Sequence, residues 1–224
     1  MGTIASRLRQ VTDSLPKGVE LVAVSKFHPV EALREAFDAG QRRFGESRVQ
    51  ELAQKVAVLG NTDWQWHFIG HLQTNKVKQL LRLRPAMIES VDSDRLLQEI
   101  DREALKQGIV QPVLMQVHVA REETKFGFLP DELLQWFADR RYESLQATHI
   151  CGVMGMASNT DDRTRIAADF AAIRGIFDRI ASLHPELRGF TTVSMGMSHD
   201  YPIAVAEGST PVSYTHLTLP TNRE

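Results

Sequence analysis

Short apolar runs alternate along this chain with stretches in which apolar side chains recur at helical spacing. A short apolar run bounded by turn residues reads as a buried strand, and the three-to-four-residue spacing as an amphipathic helix. On that basis Leu21–Val24 begins a first strand and Val30–Ala39 is a helix stopped by Gly40. Val49–Leu59 is a helix stopped by Gly60, Trp64–Ile69 a strand, Thr74 to about Leu83 a helix and Ala86–Val91 a strand. Asp92-Ser93-Asp94 is a capping cluster for a helix through Lys106, which Gly108 ends. Pro112–Val119 is the longest apolar strand. A helix over Pro130–Arg140, a strand over Thr148–Met156, a helix over Asp162–Leu183, a strand over Phe190–Met195 and a helix over Ser198–Ala206 follow. Seven strand–helix units, with an eighth starting near Ser209, predict an α/β protein, a single-domain (β/α)8 TIM barrel. A doubly wound open sheet competes, but no strand is followed by a Gly-x-Gly-x-x-Gly turn.

Composition narrows the function. A net charge of −2 gives no electrostatic case for nucleic acid or an anionic membrane. The single cysteine, Cys151, rules out an internal disulfide and fits a reducing compartment. The N-terminal stretch is polar rather than leader-like, and no apolar run approaches the ~20 residues of a membrane span. The expected location is the cytoplasm.

A barrel gathers its strand ends at one mouth, where ligands bind. Alternation along the first strand puts Val22, Val24 and Lys26 on one face, with Lys26 at the carboxyl end. After the seventh strand, Ser194-Met195-Gly196-Met197-Ser198 offers free backbone N–H groups, a glycine and two hydroxyls, a combination suited to phosphate. A lysine amine at one strand end and a phosphate-type loop at another point to a phosphorylated aldehyde or ketone held as a Schiff base. A lysine attacks such a carbonyl only as the free amine, and the apolar wall of Val22 and Val24 favours that form by desolvation. His67 and His71 have the spacing of a zinc pair, but the glutamate of that motif is missing and the first half reads as strand; no metal is expected. Asp92 and Asp94 read as cap residues.

Several segments together resemble the pyridoxal-phosphate homeostasis protein family. They are Val24-Ser25-Lys26, Phe44-Gly45-Glu46, Trp66-His67-Phe68-Ile69-Gly70-His71-Leu72-Gln73-Thr74-Asn75-Lys76, Gly152-Val153-Met154-Gly155-Met156 and Ser194-Met195-Gly196-Met197-Ser198-His199-Asp200. The resemblance runs in order from about Leu21 to Thr210. It implies the barrel of alanine racemase standing alone, with pyridoxal 5′-phosphate carried on Lys26 as an internal aldimine. Ser194, Gly196 and Ser198 would lie at its phosphate, and Ser47 and His67 beside it. The implied role is cofactor homeostasis and delivery without a settled catalytic reaction, by a monomer serving pyridoxal-phosphate-dependent apo-enzymes. Lys125, in Lys125-Phe126-Gly127 after the fifth strand, is a possible secondary contact.

Two departures stand out. Ser47 replaces the family's usual asparagine, and after Gly208-Ser209-Thr210 the family's final strand of the form Val-Arg-Ile-Gly-Thr is missing. Residues 1–210 therefore form the barrel, and 211–224 a non-family tail in place of the eighth strand. The expectation is a gap with two unpaired strand edges, which Tyr214–Leu219, rich in strand formers, is suited to fill in part. Three alternatives stay open: a racemase-type enzyme, a Schiff-base aldolase of sugar phosphates and an inactive truncated copy. Racemisation needs a second acid–base group, a tyrosine in alanine racemases, and Tyr142, Tyr201 and Tyr214 are poorly placed for it.

Overall fold

The computed structural model describes residues 3–60, 62–122 and 126–214. The elements run α1 (Ile4–Ser14), β1 (Glu20–Val24), α2 (Val30–Asp38), β2 (Arg43–Glu46), α3 (Val49–Leu59), β3 (Gln65–Phe68), α4 (Val77–Arg82), β4 (Met87–Val91), α5 (Asp94–Lys106), β5 (Gln111–Val117), α6 (Pro130–Ala138), β6 (Thr148–Gly155), α7 (Arg163–Leu183), β7 (Thr192–Met195), α8 (Tyr201–Ala206) and β8 (Pro211–Tyr214). All strand pairs are parallel, in the order β7-β6-β5-β4-β3-β2-β1-β8. This is the expected barrel, with its strand ends collected at one mouth.

Two faces of β1 explain how the strands sort their side chains. Leu21 and Ala23 belong to the hydrophobic cluster shared with the helices. Val22 points the other way: its Cγ1 lies 3.2 Å from where a Cβ on Gly45 of β2 would stand, inside the barrel. The same alternation sends Phe44 and Glu46 of β2 toward the helix layer and Gly45 inward. At Cys151 the β5–β6 register shifts, Val113 pairing with Ile150 and Leu114 with Gly152. Gly152 sits at φ +152° with its missing Cβ 1.8 Å from Thr192 O, a place no side chain fits.

The eighth strand corrects the expected gap. Pro211–Tyr214 pairs with β1 along its length, Glu20 opposite Pro211 through Ala23 opposite Tyr214. A parallel ladder needs only backbone groups, so Pro211–Tyr214 supplies it whatever its side chains. Beyond Tyr214 the predicted strand former lies outside the described residues.

The seam between β7 and β8 is held differently. Thr210 N donates to Val193 O at 2.9 Å and Ser213 N to Gly196 O at 3.0 Å. Between them the buried Ser209 hydroxyl accepts from Met195 N at 3.3 Å and lies 2.7 Å from Met195 O and 2.8 Å from Pro211 O. Ser209→Ala leaves these buried backbone groups short of a partner. It is expected to lower stability by about 1–3 kcal/mol, read as a lower urea midpoint with unchanged slope. An unchanged midpoint would show the seam to be held elsewhere.

Candidate functional site

Lys26 stands two residues past the end of β1 and continues its inward face. With Val24, Ser47, Ile69, Glu89, Met154, Gly155, Phe170, Ser194, Gly196, Met197, Asp200 and Ser213 it lines a cavity at the mouth of about 710 Å³, open throat included. That lies within the ~300–1,000 Å³ of small-molecule sites. The Lys26 amine has no hydrogen bond or ion pair among the described residues. Ser25, one position earlier, points outward and is buried.

Gly196 turns the chain out of β7 at φ +94°, and a Cβ there would stand 2.5 Å from the Cβ of Ala204 in α8. Glycine is therefore required both for conformation and for close packing of α8. Asp200, nearly fully buried, shapes the loop: its Oδ1 accepts from Met197 N at 2.5 Å, and Asp200 N and Tyr201 N donate back to Met197 O. This turn delays α8 to Tyr201, later than the Ser198 expected from capping chemistry, with Pro202 in its first turn.

The barrel floor is polar. Glu89, on β4, accepts the Ser194 hydroxyl at 2.6 Å on one oxygen and lies 2.5 Å from His67 Nδ1 on the other. The carboxylate thus ties β3, β4 and β7 together across the interior. A glutamate inside the predicted strand Ala86–Val91, with only Ser90 as a further polar residue, was the available signal for it.

Lys26, Ser47, Ser194 and Gly196 thus share one cavity, as expected. His67 does not line it; the ring turns to Glu89, which does. Ser198 is half-buried, engaged elsewhere, and likewise outside the lining. Lys125 lies outside the described residues. His71 sits at the rim, 2.9 Å from Asp92 Oδ2 and stacked on Phe126 at 3.7 Å. Among the described residues no group of His, Cys, Asp and Glu is arranged to hold a metal. No helix among them is long and apolar enough to cross a membrane.

The model of the family "Alanine racemase, N-terminal domain" matches residues 1–210. A curated relative from Helicobacter pylori, named pyridoxal phosphate homeostasis protein, is 36% identical over 191 residues, covering 85% of this chain and 82% of that protein. This chain belongs to the pyridoxal phosphate homeostasis protein family. Among solved structures, PipY of Synechococcus elongatus with pyridoxal phosphate bound is 37% identical, with a TM-score of 0.88, covering 96% of this chain and 99% of PipY. Alanine racemase of E. faecalis shares the fold at 18% identity and a TM-score of 0.70, the match covering 95% of this chain and 56% of the racemase. The family thus pairs a racemase-type barrel with a cofactor-homeostasis name. Ser213 of β8 also stands on the cavity wall.

Beneath Lys26 lies a charged layer that motif reading did not assemble. Glu46, on β2, is fully buried and accepts from Ser25 Oγ at 2.6 Å and from Lys55 Nζ, on α3. Its second oxygen has no hydrogen-bond partner. Burial pushes the Glu46 carboxyl above the ordinary range, the bonds from Lys55 and Ser25 offsetting only part of the rise. Lys55 also donates to Ser25 O at 2.6 Å and Glu51 Oε1 at 2.8 Å. Glu51 behaves oppositely: desolvation raises its carboxyl, but the bonds from Lys55 and Phe27 N–H outweigh it and hold the group below the usual range. The sequence signal was Glu51 and Lys55 at i,i+4, with Lys55 also on the Leu52 face of α3.

Proposed function

We propose that the protein binds pyridoxal 5′-phosphate through the Lys26 amine and holds it for supply to pyridoxal-phosphate-dependent apo-enzymes in the cytoplasm. The observation that carries this reading is an unpartnered lysine amine sharing one cavity with the Ser194–Gly196 loop. The residues fit the cofactor. Gly196 keeps the loop free of a side chain, Ser47 and Ser194 bring hydroxyls, and Val24, Ile69, Met154 and Phe170 offer apolar contact to a ring. When bound, the cofactor supplies an aldehyde that condenses with a primary amine. In this reading Ser194 and Gly196 hold the phosphate, Ser47 contacts the ring, and His67 acts only through Glu89, whose carboxylate orients the Ser194 hydroxyl.

A carrier role without catalysis is favoured over racemisation by the placement of the tyrosines. None of the three lines the cavity: Tyr142 bonds Glu186 and His184, Tyr201 lies 3.3 Å from Ser14 Oγ, and Tyr214 ends β8. The reading further takes the protein as a monomer.

The test is to add pyridoxal 5′-phosphate to the purified protein, record the visible spectrum, reduce with borohydride and map the labelled peptide. The expected outcome is a new absorption band and a label on Lys26. A label on a different lysine, or no band in protein shown to be folded, would overturn the proposal.

A further inference from the structure

Both peptide neighbours of Lys26 are tied to one cluster of charged side chains. On the N-terminal side, the Ser25 carbonyl accepts from Lys55 Nζ at 2.6 Å and its hydroxyl donates to Glu46 Oε1 at 2.6 Å. On the C-terminal side, Phe27 N donates to Glu51 Oε1 at 2.7 Å. Lys55 joins the two halves by donating to both Glu46 and Glu51. Neither Lys55 nor the two glutamates line the cavity. They lie in the layer between β2 and α3, behind the strand whose other face carries Lys26.

Phe27 is the reason a restraint is needed. It adopts φ +64°, a left-handed conformation that an aromatic residue rarely takes, and its ring is 72% exposed. Its side chain thus buries too little to hold that backbone, although the Arg48 guanidinium stands 5.4 Å from the ring centre. The bond from His28 N to Ser25 O at 3.0 Å closes the turn around Lys26 and Phe27, and the Glu51 bond to Phe27 N–H is the side-chain anchor that ties this turn to α3. A conformation of this kind persists only where surrounding contacts over-determine it, and such residues gather at functional sites. Buried ion pairs, moreover, are weak contributors to stability compared with apolar packing of the same volume. A lysine and a glutamate buried at 5% and 0% exposure beside the site residue call for a role other than stability.

We propose that Lys55, Glu46 and Glu51 form a clamp that positions Lys26, setting the backbone on either side so that its amine meets a carbonyl carbon in the cavity in a reactive orientation. This deepens the reading of Lys26 as the cofactor lysine and rests on it. These three are positioning residues, and their effect is on covalent attachment rather than on holding phosphate and ring.

The test compares the parent with Glu51→Ala and Glu51→Gln, whose site on α3 is partly exposed, using two probes. Pyridoxal 5′-phosphate reports attachment, through the rate of the new absorption band and borohydride labelling of Lys26. Pyridoxine 5′-phosphate, which lacks the aldehyde, reports non-covalent binding. In Glu51→Ala the attachment rate is expected to fall about tenfold, with pyridoxine 5′-phosphate affinity within about twofold of the parent. Glu51→Gln, which keeps an acceptor for Phe27 N–H, is expected to recover most of the rate. Attachment at the parent rate in Glu51→Ala would overturn the clamp, as would a parallel loss for both probes or a Gln variant no better than Ala. A parent chain that takes up no label on Lys26 would overturn the clamp together with the cofactor reading itself.

Discussion

Lys26→Ala is expected to abolish the absorption band with pyridoxal 5′-phosphate and to leave no borohydride-fixed label at the mouth of the barrel. The reason is local. Lys26 is the lysine lining the cavity, and its amine is engaged by no described residue. The substitution removes the only primary amine that the described residues bring to the lining, while keeping β1, Val24 and the Ser194–Gly196 loop in place. Affinity for pyridoxal 5′-phosphate should fall by about 100-fold, equivalent to about 2.8 kcal/mol, because the covalent link is lost. Affinity for pyridoxine 5′-phosphate, which never forms that link, should stay within about threefold. Both are read by titration and peptide mapping of the two proteins side by side. A band of undiminished intensity in the variant would transfer the role to another lysine.

Gly196→Ala is the second large effect, and it acts on shape rather than chemistry. The residue sits at φ +94°, and the added methyl would stand 2.5 Å from Ala204 Cβ and 3.1 Å from Tyr201 Cα. Ala204 is fully buried and has no rotamer with which to retreat, so α8 as a whole must move. Left-handed backbone and overpacking together are expected to cost about 2–4 kcal/mol, seen as a lower melting temperature. Moving α8 also carries Met197 and Asp200 away from the cavity they line. A loss of about 1.5–3 kcal/mol in binding corresponds to roughly 10–100-fold weaker affinity for pyridoxine 5′-phosphate. Parent-like affinity in this variant would show that the loop does not hold the phosphate.

The barrel and its lysine were legible because they follow from period and punctuation. Strand alternation alone placed Lys26 on the inward face of β1, and glycines marked the ends of α2, α3 and α5. What stayed hidden depends on which residues meet across layers. Glu46 was visible only as part of a motif, yet alternation directs it outward to Lys55, away from the cavity. His67 sat in the strongest motif of the chain, but its ring is spent on Glu89, a contact between β3 and β4 that no local spacing announces. The start of α8 shifted because the Asp200 carboxylate claims the Met197 N–H. The eighth strand was misjudged for a different reason. Side-chain identity was used to judge a pairing that depends on backbone groups and on Ser209, which lies before the unfamiliar stretch begins.

That closure makes the last stave of the barrel interchangeable. Val212 is the fully buried residue β8 contributes to the core, and the seam's side-chain bonds come from Ser209 and Thr210, upstream of the strand. Any short extended segment with a modest apolar residue in that place can complete the wall, so architecture tolerates a change of sequence there that chemistry does not. The cavity registers the identity of β8 at one point, Ser213, whose short side chain is part of the lining. Folding and cavity chemistry are thereby separable at this end of the chain: a substitution at Ser213 is expected to alter the second while sparing the first.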